Sequence, residues 1–192
     1  ALTRLSESAQ CAYAAIAFGL RRSITNNDVT TSNLNLFSRS FFTDEDTSKI
    51  ANSLPDDWVA SSVFGANKLL TTFGRGGQYT FHRGDGVVNR INSAFMRVKR
   101  IENVRMDINK WNPSDFWMVE KGFNFGRIDS EQTLLGLNQV IQESLQEKSL
   151  IGISLKKMQG GASLSRKNIT SNMNQSKTYT GFSYSRTSMD GY

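Results

Sequence analysis

The sequence predicts a single α/β domain, of the α+β kind, in which a mixed β-sheet is flanked by helices. Its 192 residues suffice for one sizeable core and are too few for two comfortable ones. Apolar residues recur at helical spacing in four separated stretches, and short apolar runs with strand chemistry, Phe116–Val119 and Leu150–Ile153, follow the third and fourth of them. Within this one domain three parts differ in character. Residues 1–72 are mostly helical, 87–157 form an α/β core, and 158–192 are basic and rich in Ser and Asn.

The elements follow in order. Leu5, Ala9, Tyr13 and Ile16 are helically spaced among alanines, which predicts a packing helix over 3–18. Residues 23–40 are dense in Thr, Asn and Ser, whose side chains compete for backbone hydrogen bonds, so a loop or extended connector is expected. Asp44, Glu45 and Asp46 then open a short helix through Ile50 and Leu54. Pro55-Asp56-Asp57 begins another, which continues through Val59, Val63, Ala66 and Leu70. The glycine-rich, basic stretch 73–86 lacks both the phosphate-loop ending and the dinucleotide fingerprint. It serves equally well as a plain turn or as a nucleic-acid contact loop presenting Arg75 and Arg83.

Val87, Val88, Ile91, Phe95 and Val98 make an apolar stripe, with Arg90, Arg97, Lys99 and Arg100 on the other positions of an amphipathic helix. A loose alternation predicts a strand over 101–108. After the Phe116 strand, which Glu120 and Lys121 extend, residues 122–126 turn the chain. A helix is expected to begin at Ser130-Glu131 and to carry Leu134, Leu137, Ile141 and Leu145 on one face. It returns the chain to the Ile151–Ile153 strand, an apparent strand-helix-strand crossover that predicts the two strands to run parallel. Beyond it, Thr178–Tyr184 alternates like an edge strand, and its aromatics suit either core packing or base stacking.

Composition removes several chemistries. The single cysteine, Cys11, excludes an intrachain disulfide and a cysteine-built zinc site, and its Ala and Tyr neighbours mark it as a buried small hydrophobe. The single histidine, His82, disfavours Ser-His-Asp hydrolases, histidine-metal nucleases and zinc deaminases. Chemistry would have to run on carboxylates, lysines and a hard metal. A mean hydropathy of -0.41 and the lack of any long apolar run disfavour membrane insertion. The stretch 12–20 makes a poor signal peptide, so secretion is not expected, and a start at Ala1 implies removal of the initiator Met or cutting of a longer precursor. The formal charge of +6 suits a polyanionic partner. From Lys156 to the C-terminus the basic residues Lys156, Lys157, Arg166, Lys167, Lys177 and Arg186 are accompanied by a single acid, Asp190, and a phosphate backbone is the most economical explanation, with Lys157, Arg166 and Lys167 as contacts.

Two segments concentrate the chemistry. Pro113-Ser114-Asp115 places a carboxylate where a proline-fixed turn enters an apolar strand. Leu150–Ile153 ends in Ser154 and, after Leu155, in Lys156 and Lys157. A carboxylate to hold Mg²⁺ and a lysine to steady the attacking water are what metal-assisted phosphodiester cleavage needs.

These residues resemble the PD-(D/E)xK, restriction-endonuclease-like superfamily of nucleases, with Pro113-Ser114-Asp115 matching one half of the motif and Ser154-Leu155-Lys156 the other. Residues 100–160 also resemble bacteriophage proteins with a W-x-P-A-D-I-W and G-x-S-L-K pairing. The resemblance implies a restriction-endonuclease-like sheet with Asp115, Ser154 and Lys156 as catalytic residues. It implies Mg²⁺ held by Asp115 and the Leu155 carbonyl, Glu120 as a supporting acid, and nucleic acid, DNA rather than RNA, as partner. Ser154 stands where the family carries a second acidic ligand, which removes a charge from the metal site. The alternative is a non-catalytic virion structural or DNA-binding protein on the same scaffold, with virion or homo-oligomeric partners. Either places the protein in the host cytoplasm or the virion.

Overall fold

Helix α1 (Leu2–Leu20) lies at the centre of the molecule, between the sheet and a second helical layer. The computed structural model describes residues 2–74 and 78–154. After α1 come a 3₁₀ turn (Asn26–Asp28), α2 (Thr31–Leu36), β1 (Phe41–Phe42), α3 (Thr47–Asn52), α4 (Asp56–Phe73) and β2 (Tyr79–His82). Helices α5 (Gly86–Ile101) and α6 (Ile108–Trp111) lead to β3 (Phe116–Glu120), and α7 (Gly126–Asp129) and α8 (Leu134–Glu147) lead to β4 (Leu150–Ile153). The four strands form one mixed sheet in the order β1-β2-β3-β4, parallel between β1 and β2 and antiparallel elsewhere. The described residues thus make one α/β unit.

The alternation of strand side chains divides the core. Tyr79, Phe81, Phe116, Met118, Ile151 and Ile153 pack with α1, while Trp117, Val119 and Leu150 pack with Ile91, Phe95 and Val98 of α5 and with Leu137 and Val140 of α8. α1 was expected to bury one stripe. It is instead enclosed nearly all round, because Ala9, Ala12, Ala14, Ala15 and Ala17 let neighbours approach on every side. Cys11 is fully buried, and burial pushes its thiol pKa far up.

The helix starts expected at Asp46 and Pro55 form: Asp46 accepts from Ser48 N at 2.7 Å to start α3, and Pro55 precedes α4 with Asp56 and Asp57 in its first turn. Asp85, which the sequence reading did not single out, accepts from Val88 N at 3.2 Å to start α5.

Several expectations are corrected. The connector over 23–40 contains the 3₁₀ turn and α2, where Thr30 accepts from Asn33 N at 3.2 Å. The glycine-rich stretch contains β2, which bonds to β1 on one side and β3 on the other. No strand forms over 101–108: α5 runs to Ile101, Asn103 turns the chain at φ 52°, and α6 follows. The helix expected from Ser130 starts three to four residues later, because Thr133, not Ser130, caps it by accepting from Gly136 N at 3.0 Å. β3 and β4 are antiparallel rather than parallel, since α7 and α8 carry the chain back over the sheet to the Glu120 end of β3, beside which β4 begins. The edge strand expected at 178–184 lies outside the described residues.

Candidate functional site

The Trp111–Asp115 segment is held at four successive points. The Trp111 ring stacks on Phe95 with centroids 4.7 Å apart and planes 12° apart, and its Nε1 donates to Asn138 Oδ1 at 2.7 Å in the core. The side chain of Asn112 donates from Nδ2 to Asn92 Oδ1 on α5 at 2.9 Å, and its Oδ1 accepts from Ser114 N at 3.2 Å. That Asx-type turn carries the chain past exposed Pro113. Asp115 N then donates to Ile153 O at 2.8 Å, extending the β3–β4 ladder by one bond. The tryptophan and the asparagine fix where the half-buried Asp115 enters the sheet.

The antiparallel register decides what meets what. Phe116 pairs with Ile153, so Asp115 and Ser154 flank the same end of the sheet. In the parallel arrangement expected from sequence, the start of one strand and the end of the other would lie about 13 Å or more apart, at roughly 3.3 Å per residue. The correction in strand direction therefore puts Asp115 and Ser154 at the same end of the sheet. Gly152 makes the approach close: a Cβ there would lie 2.2 Å from Ser114 Oγ and 3.2 Å from the Trp117 ring.

The remaining sequence candidates sort differently. Ser154 is exposed. Leu155, Lys156, Lys157, Arg166 and Lys167 lie outside the described residues, as does Arg75. Glu120 sits at the far end of β3 from Asp115, so no described contact brings the two carboxylates together. Arg83 is drawn inward: Nε and Nη2 donate to Glu7 Oε2 at 3.0 and 2.7 Å, and Nη1 pairs with Asp44. Burial works against the Arg83 charge, but Glu7 and Asp44 outweigh it and raise its pKa. Burial likewise opposes the charge on Asp44, and Arg83 and Arg4 overcome it, leaving that carboxyl below its usual range. This network ties α1, the β1–α3 connection and the β2–α5 turn together.

The basic face expected on α5 is partly consumed. Arg90 Nε donates to Asp129 Oδ2 at 2.9 Å and its guanidinium lies 5.0 Å from the Phe125 ring centroid. Arg97 Nη2 donates to the carbonyls of Ile128 and Glu131 at 3.1 and 3.0 Å.

Sequence reasoning missed the surroundings of His82. Its Nδ1 lies 2.6 Å from Asp85 Oδ2, its Nε2 lies 2.7 Å from Thr80 Oγ1, and Phe42 stacks on the ring at 4.9 Å. Both ring nitrogens are thus engaged, one by the carboxylate and one by the hydroxyl. The signal was present: Thr80 and His82 are two apart on a strand, and Asp85 sits three further at a helix cap. The arrangement locks β2 to the start of α5.

Among the described residues, no three His, Cys, Asp or Glu side chains gather into a group able to hold a metal ion. Asp44 and Asp85, which follow β1 and β2 at the Asp115 end of the sheet, are engaged by Arg83 and His82, while the β3–β4 corner of that end holds, among the described residues, the Asp115 carboxylate and the Ser154 hydroxyl. Such a hard, oxygen-only set suits Mg²⁺, which is commonly held by one or two carboxylates with waters and substrate phosphates completing its shell. No family model matches the chain, and no curated protein and no solved structure matches it.

Proposed function

We propose that the chain is a phage-encoded nucleic-acid-binding protein on a restriction-endonuclease-like scaffold, with a PD-(D/E)xK-type site for Mg²⁺-dependent phosphodiester hydrolysis. One observation supports the reading above the rest: the register that sets Asp115 beside Ser154 at one sheet end. In this reading Asp115 and the Leu155 carbonyl hold the metal and Ser154 contributes through a water. Lys156, two residues past Ser154, orients the attacking water. Mg²⁺ supplies charge stabilisation at the phosphate. The braces on Trp111 and Asn112 keep Asp115 at the strand mouth, where preorganisation matters most.

The test is cleavage of plasmid DNA, single-stranded DNA and RNA in Mg²⁺ or Mn²⁺, with Asp115→Asn and Lys156→Ala as controls. Cutting lost in both variants at unchanged circular dichroism supports the assignment. Intact nucleic acid in every condition removes the enzyme.

A second reading has its own support. Ser154 in place of an acid, and the lack of a three-member acidic group among the described residues, suit a non-catalytic DNA-binding or virion component on a degenerate scaffold. DNA bound but never cut, with affinity falling steeply with salt, would favour it. In both readings the setting is the host cytoplasm or the virion. Among the described residues, no helix is long and apolar enough to cross a membrane.

A further inference from the structure

The fold divides its cations into two groups. Arg4, Arg22, Arg83, Arg90 and Arg127 are spent on carboxylates, and Arg97 on backbone carbonyls. Lys99, Arg100, Arg105 and Lys110 make no ion pair among the described residues, and all but the half-buried Lys99 are exposed; Arg21, Arg39, Lys49, Lys68, Lys121 and Lys148 are without an ion pair there too, but they stand ten or more residues apart. The first four fall within twelve consecutive residues that hold only two acids. Both acids have work of their own: Glu102 Oε2 accepts from Leu134 N at 2.8 Å, and Asp107 stands at the N-cap of α6.

This segment is physically joined to the Asp115 end of the sheet. Asn92 on α5 accepts the Asn112 side chain at 2.9 Å, and Asn112 is three residues from Asp115. Lys99 follows Asn92 by seven residues on the same helix face, about 10 Å along the axis. Lys110 lies two residues before Asn112. At roughly 3.4 Å per phosphate along one strand, that length matches about three phosphates.

We propose that the C-terminal end of α5 and the α5–α6 connection, through Lys99, Arg100, Arg105 and Lys110, form the track on which a nucleic-acid backbone lies as it reaches Asp115. The inference names the binding surface of the site proposed above and rests on that reading only for what happens at its end. Charge complementarity selects the occupant: four cations free of carboxylates, spaced along a helix and its exit, suit a repeating phosphate.

The experiment measures anisotropy of a labelled DNA 20-mer, single- and double-stranded, across a salt series without divalent metal. The variant K99E/R100E/R105E/K110E is expected to lose at least tenfold in affinity at low salt, with its log–log salt slope reduced by about 2 or more on duplex. Lys110→Glu alone is expected to reduce the slope by about 1. R39E/K68E, which reverses cations outside this segment, is expected to keep the wild-type slope. K99Q/R100Q/R105Q/K110Q, with unchanged circular dichroism, guards against a folding artefact. Equal slopes in wild type and reversed variant overturn the track, as does failure of the wild type to bind DNA at low salt. Poly-glutamate bound as tightly as DNA also overturns it, because the surface would then serve an acidic protein. Metal-free binding separates the two claims. A track that binds without cutting survives the loss of the hydrolytic reading, and cutting unaffected by charge reversal sinks the track alone.

Discussion

Asp115 N donates to Ile153 O at 2.8 Å, and through that bond Asp115 and Ser154, about forty residues apart, share one sheet end. The β3–β4 ladder sets how the two strand ends meet, so perturbing the ladder perturbs the position of Asp115.

Gly152→Ala tests this directly. The new methyl would sit 2.2 Å from Ser114 Oγ and 3.2 Å from Trp117, displacing the residue before Asp115. A loss of roughly 1–3 kcal/mol in urea unfolding is expected, the range for overpacking. Ser114→Ala removes the nearer obstacle, so the double variant should recover part of the loss. Purely additive effects would show that the two positions do not touch.

The Trp111 anchor is a buried pair. Asn138→Ala strands the indole N–H and Trp111→Phe strands the Asn138 carbonyl, each at roughly 1–3 kcal/mol. In the double variant neither group is left unpaired, so the combined loss should be smaller than the sum. A double-mutant cycle in chemical denaturation measures the coupling.

Arg83 is expected to be a structural residue. Arg83→Gln leaves Glu7 without its partner and Asp44 with Arg4 alone, and should cost about 1–3 kcal/mol, the range for stranding a partly buried hydrogen-bonded group. Its DNA-binding salt slope should equal that of wild type. A slope reduced by about 1 would return Arg83 to the phosphate contacts.

Alkaline pH should weaken the fold. Burial pushes the Tyr13 phenol up to about 12, and Tyr79 is raised in the same direction, first by burial and then by Glu120. The unfolded phenol ionises near pH 10, so the unfolded chain binds fewer protons than the folded one above that point. The share of stability held by these phenols is therefore complete below about pH 10 and declines as pH rises towards about 12, on top of a decline from the buried Cys11 thiol that starts near its unfolded pKa of about 8.5. Tyr13→Phe should flatten the decline and, losing only a 3.3 Å bond to Ile50 O, cost under about 1 kcal/mol at neutral pH. Thermal melts across pH 8–11 would show it, and equal slopes in both proteins would exclude Tyr13 as the cause.

How much of this was legible depended on how local the signal was. Helices α1, α3, α4 and α5 were readable because apolar spacing and start signals such as Asp46 and Pro55 lie within a few residues of one another. β1, two residues long, has no period to read. β2 was hidden because Tyr79–His82 is short and lies among glycines. Strand direction was illegible for another reason: the α7–α8 connection looks like a crossover in sequence, and only its path over the sheet decides where β4 begins. The strand-end positions of Asp115 and Ser154 were legible, because each borders a short apolar run. The braces from Asn92 and Asn138 were not, because each pairs with a residue twenty or more positions away. The roles of Arg83, Arg90 and Arg97 were hidden likewise, since a sequence does not reveal which cations the fold will neutralise.

The enclosure of α1 sets how the protein can vary. A helix wedged between sheet and outer helices, with alanines at its contacts, has no slack on any side, and an added methylene must push two layers apart at once. Amides in its middle should be among the last to exchange with deuterium, and random mutagenesis should find its tolerated changes at the rim near Pro113 and Ser154 long before it finds any between Ala9 and Ala17.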